Sequence, residues 1–141
     1  MSLVERRAWI GLLTLCPAYF VYFTILLAFP DRLATFGARI ALFAVVATCH
    51  ALLSIGGNIF FAIRGHAEDL GEDERDRAID ARSTRAAYFA LLAGMISVGC
   101  IMPFSKTGWQ IVNAALLAIV ISEILRQLLV IHGYRRARLA F

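Results

Sequence analysis

Four long apolar runs, with most of the charge gathered between the second and third, constrain this chain more than any other feature. They occupy residues 8–29, 40–63, 86–104 and 109–131 and are 22, 24, 19 and 23 residues long. A helix needs about 20 apolar residues to cross the hydrocarbon core of a bilayer. The pattern therefore predicts an all-α integral membrane bundle of four transmembrane helices, with residues 1–141 as a single domain. A 141-residue chain that is 60% hydrophobic is too apolar for a soluble domain of this size. The arginine pair Arg6 and Arg7 ahead of the first run raises the question of an export signal. That run exceeds a signal h-region, and no small-x-small site follows it before Asp31, so it is read as a retained span.

Basic residues set the expected orientation. Arg6, Arg7, Arg64, Arg75, Arg77, Arg82, Arg85, Arg135, Arg136 and Arg138 fall on one side of the alternating runs, against Arg32, Arg39 and Lys106 on the other. Ten against three predicts both termini and the central loop in the cytoplasm, in a cell (inner) membrane. The net charge of +4 is spread around the runs rather than gathered in a patch, which argues against nucleic acid as a partner. Pro30, Gly37, Pro103 and Gly108 punctuate the short outer connections. The first and second helices, and the third and fourth, are thus expected to be antiparallel neighbours. Ala86, Ala90 and Gly94 repeat every four residues, a spacing that lets two membrane helices approach closely, within the chain or across a homo-dimer.

The central loop, 64–85, holds Glu68, Asp69, Glu72, Asp73, Glu74, Asp76 and Asp80 together with five arginines. Acidic residues lead and arginines follow, as the helix dipole prefers. This predicts a third helix extended into the cytoplasm by about four turns over 72–85. Its readings are a solvated extension whose arginines sit at headgroups, a docking surface for a cytoplasmic protein, or a divalent-cation site. No EF-hand spacing is present, and the interleaved arginines oppose cation binding. The docking reading points to Asp73, Glu74, Arg75, Asp76, Ile79 and Arg82. Asp73-Glu74-Arg75, then Ile79 and Arg82, resembles the D-E-R-x-x-x-I-x-x-[KR] signature of a family of small prokaryotic four-helix membrane proteins. The resemblance implies the four-span layout and implies no activity.

Ionisable groups inside spans are costly and mark candidate sites. His50, Ser54 and Asn58 recur every four residues on the second helix, and Asn113, Glu123 and Gln127 share a face of the fourth, with Arg126 beside Glu123. At 1.5 Å per residue Glu123 is about 12 Å and Ser54 about 13–14 Å from the charged ends of their runs. If the two helices face each other, His50, Ser54, Asn58, Glu123 and Arg126 form one ligand-binding cluster. The alternatives are a structural polar core, with Glu123 and Arg126 neutralising each other locally, and a proton path through His50 and Glu123.

No cofactor is expected. Cys16, Cys49 and Cys100 lie on different helices without a C-x-x-C, and His66 and His132 lie far from His50, which disfavours haem and metal. No nucleophile, P-loop or dinucleotide motif appears. The expectation is a non-enzymatic membrane protein, a regulator or sensor that presents its charged helix to a partner. The alternatives are a small ion-coupled transporter or channel subunit and an intramembrane enzyme acting on a lipid or quinone.

Overall fold

A computed structural model describes residues 3–64 and 74–139, and every regular element among them is helical. The elements are α1 (Leu3–Ala28), α2 (Phe36–Arg64), α3 (Glu74–Ile96) and α4 (Gly108–Leu139). A π-turn over Ser97–Ile101 and a 3-10 turn over Met102–Phe104 continue α3. Among the described residues, four helices are long and apolar enough to cross a membrane. Their large apolar side chains point outward, Leu13, Leu27, Ile63 and Phe104 among them. Outward apolar surface on this scale is what a lipid solvent favours and water does not.

The helices outrun the apolar runs at several ends, each for a local reason. α2 starts at Phe36 because Thr35 caps it: the Thr35 hydroxyl accepts the Ala38 N–H at 3.4 Å. Gly37 thereby falls inside the first turn of α2 rather than in the connection. α4 starts at Gly108, behind a capping arrangement in which the Thr107 N–H donates to the Gln110 side chain at 3.1 Å. Pro103 offers no N–H and clashes with the carbonyl four residues earlier in a regular helix. The chain answers by widening to the π-turn, where the Met102 N–H reaches Ser97 O, and then tightening to 3-10 around the proline.

The chain divides into two compact units. One holds α1 from Trp9 onward together with α2. Here Tyr22, 2% exposed, packs its ring edge-on against Phe23 and Phe43. A Cβ on Gly57 would lie 3.0 Å from the Ile10 side chain, so α1 and α2 approach closely at that point. Gly56, by contrast, has open space beside it.

The other unit holds α3, α4 and the first turns of α1. A Cβ on Gly94 would stand 2.8 Å from the Ala118 Cβ, so these two backbones meet where only hydrogen fits. Near the charged end a Cβ on Gly133 would stand 2.9 Å from Ile79. The small-residue stripe of α3 is therefore occupied at Gly94 by α4 of the same chain. The third helix does run on beyond its apolar residues, from Glu74. The fourth helix extends with it, to Leu139, eight residues past the end of its apolar run. The two make an antiparallel hairpin with a charged end.

Candidate functional site

The charged end of the α3–α4 hairpin holds a connected polar group. Glu123, Arg126 and Gln127 share one face of α4 because residues three and four apart stack on a helix. The Arg126 Nη2 donates to Glu123 Oε1 at 2.8 Å, and its Nε donates to the same oxygen at 3.2 Å. The Gln127 Nε2 also donates to Glu123 Oε1, at 2.7 Å. Arg126 then crosses to α3, where its Nη1 donates to Asp80 Oδ1 at 3.3 Å. Two turns along α4, the Tyr134 hydroxyl donates to Asp76 Oδ1 at 2.5 Å. One guanidinium thus stands between two carboxylates, and a phenol ties a third. Planar guanidinium geometry suits this forked contact as an ammonium would not.

The first turns of α1 close over this group. A cavity of about 240 Å³ is bounded by Arg7 and Ala8 on one side and by Asp80, Arg126 and Gln127 on the other. Glu5 is buried in the first turn of α1, where the helix dipole favours a carboxylate.

The pairing of Glu123 with Arg126 is as the spacing predicts. Asp80 is the member that spacing along one helix does not announce, since it arrives from a charged stretch with no local partner on α4. Its signal is the antiparallel register. Once Gly94 meets Ala118, the chain folds Asp76 and Asp80 back alongside the last turns of α4.

The residues expected to face a partner divide between two faces of α3. Ile79 packs over Gly133, and Asp76 is tied to Tyr134, so both serve the hairpin. Glu74, Arg75 and Arg82 are exposed. Asp73, with Glu68, Asp69 and Glu72, lies outside the described residues.

His50, Ser54 and Asn58 belong to the α1–α2 unit. His50 stacks edge-on against Tyr19, with ring centroids 5.7 Å apart. The Asn58 amide donates to the Ser54 carbonyl of its own helix at 2.7 Å, so backbone capacity within α2 satisfies it. Cys16, Cys49 and Cys100 are free thiols, and no cluster of metal-ligating side chains occurs among the described residues.

No protein-family model matches the chain, and neither a curated protein nor a solved structure matches it.

Proposed function

We propose that this is a non-enzymatic multi-pass protein of a prokaryotic cytoplasmic membrane that presents the exposed face of α3 to a protein partner, as a regulator or sensor. In this reading both termini and the charged end of α3–α4 lie in the cytoplasm, as the positive-inside bias requires. One observation carries it. The α3 extension is pinned to α4 on one side by Tyr134–Asp76, Arg126–Asp80 and Ile79 over Gly133, while Glu74, Arg75 and Arg82 stay exposed on the other. A charged face held on a rigid element loses little ordering entropy when a partner binds it. The D-E-R-x-x-x-I-x-x-[KR] signature that this stretch resembles takes in all three of these exposed residues, Glu74, Arg75 and Arg82. The polar group behind it acts as the tie that fixes the hairpin, rather than as a transport path.

A photo-crosslinking side chain placed in turn at Arg82 and at buried Ser83 tests this in intact membranes. A discrete protein adduct from position 82 and none from 83, lost when Glu74→Lys and Arg75→Glu are combined, is the expected result. Loss of cellular function on Glu123→Gln, with charge reversal at Glu74 and Arg75 tolerated, would favour ion handling instead.

A further inference from the structure

The cavity of about 240 Å³ between the first turns of α1 and the hairpin gathers bonding capacity that the protein does not itself use. Three charged groups and one amide face it: Arg7 from α1, Asp80 from α3, and Arg126 and Gln127 from α4. Arg7 has no hydrogen-bond or ion-pair partner among the described residues. Arg126 donates to Glu123 and Asp80 through one N–H on each of its nitrogens, so each Nη keeps a second. Asp80 accepts through Oδ1, which leaves Oδ2 open among the described residues. Gln127 is 6% exposed; its Nε2 donates to Glu123, and its carbonyl Oε1 accepts from no described residue. Buried carbonyls are nearly always satisfied, so one left open against a cavity calls for a donor from outside the chain.

These groups are of two kinds. Arg7 offers an unshared positive charge and a fork of donors, and Arg126, already neutralised by Glu123 and Asp80, adds donors only. Asp80 Oδ2 and Gln127 Oε1 offer acceptors. A ligand that answers all four carries an anion with acceptor oxygens and a cation with N–H donors. A plain anion meets Asp80 as a like charge, and a plain amine meets Arg7 as one. The rest of the wall is apolar, from Val4, Ala8 and Val130. The volume exceeds the share of one water, about 30 Å³, and falls below the about 300–1,000 Å³ of sites for drug-sized ligands. It suits a small metabolite.

We propose that this cavity binds a free α-amino acid with a short aliphatic side chain. The carboxylate sits on the Arg7 guanidinium and a spare Nη–H of Arg126. The ammonium donates to Asp80 Oδ2 and Gln127 Oε1, and the side chain lies on Val4, Ala8 and Val130. Both ionic contacts are charge-assisted hydrogen bonds, the strong kind, and a fork of guanidinium donors matches a carboxylate. The bound molecule joins the start of α1 to both helices of the hairpin, so it stabilises the folded unit by mass action. The assignment needs neither the bilayer nor the protein partner proposed above.

The full chain in mild detergent can be titrated with L-valine and followed by calorimetry and thermal unfolding. Isovalerate and isobutylamine are the controls, since they keep the side chain of valine and lack its ammonium or its carboxylate. Valine should raise the unfolding temperature saturably and bind at least about tenfold more tightly than either control, the effect of one hydrogen bond to a charged group. Arg7→Gln removes the carboxylate's partner at an exposed position outside the Arg126 tie, so helicity by circular dichroism should be unchanged. Valine affinity in it should fall about tenfold, toward that of isobutylamine, and Arg7→Lys should keep part of it. Asp80→Asn should bring valine toward isovalerate. No saturable binding of alanine, valine or leucine, equal binding of either control, or unchanged valine affinity in Arg7→Gln would overturn the assignment. Tighter binding of inorganic phosphate than of valine would also overturn it, by marking a plain anion site.

Discussion

Gly94 and Arg126 show how much single residues decide in this hairpin. Gly94 stands where a Cβ would come within 2.8 Å of the Ala118 Cβ, and neither partner is a flexible side-chain end that could swing away. Gly94→Ala should therefore destabilise the α3–α4 pair by about 1–3 kcal/mol, as overpacking does, measured by thermal unfolding in detergent. Adding Ala118→Gly should recover most of that loss, because it returns the missing space from the other side. Arg126 bonds both Glu123 and Asp80, and removing it takes away the cation that these two carboxylates share. Its side chain is 31% exposed and that of Asp80 46%, so water shares these charges. Arg126→Met should consequently cost about 1–3 kcal/mol, less than the about 3–5 of a fully buried pair. Arg126→Lys should recover only part of it, since an ammonium cannot hold both carboxylates in forked geometry. The Glu123–Arg126 pair is legible at this scale, being three residues apart on one face. The Asp80 contact is not, because it depends on a register that no local pattern states.

At the scale of elements, the charged stretch after residue 73 is half of a two-helix tie rather than a lone solvated helix. Arginines and carboxylates at helical spacing predict the extension of the third helix. They are silent on the matching extension of the fourth, because His132, Tyr134, Arg135 and Arg136 end the apolar signal at Ile131 without ending the helix. Packing of Gly133 under Ile79 and the Tyr134–Asp76 bond supply what hydropathy does not measure. Tyr134→Phe should cost about 1 kcal/mol, the net value of one hydrogen bond. It should also raise amide exchange in the first turns of α3 while leaving α1–α2 unchanged. Helix starts are legible where a cap is spelled out, as in Thr107-Gly-Trp-Gln110, whose side chain and backbone pair at the start of α4. The π-turn before Pro103 follows from the proline, but the way the strain divides between a wide and a tight turn is a tertiary outcome.

For the molecule as a whole, the apolar runs state the architecture plainly, because length and composition alone decide whether a helix can cross a bilayer. Four such helices are present among the described residues. The candidate sites are less legible. The depth argument groups His50, Ser54 and Asn58 with Glu123, while the partners that spacing along one helix does not give, Tyr19 for His50 and Asp80 for Arg126, come from the packing inside each unit. Combined reversal by Glu74→Lys, Arg75→Glu and Arg82→Glu touches only exposed positions, so stability should change by no more than about 0.5 kcal/mol per site. Partner crosslinking should nonetheless be lost, which separates a docking role from a folding role.

The central claim is that the charged end of the α3–α4 hairpin projects from the membrane on the cytoplasmic side, opposite the turn that joins the two helices. With Cys16, Cys49 and Cys100 replaced by alanine, Arg82→Cys and Ser105→Cys can each be labelled by a membrane-impermeant maleimide, in whole cells and in inverted vesicles. The account predicts labelling of the position-82 variant only in inverted vesicles and of the position-105 variant only in whole cells. Labelling of both positions from the same side would contradict it.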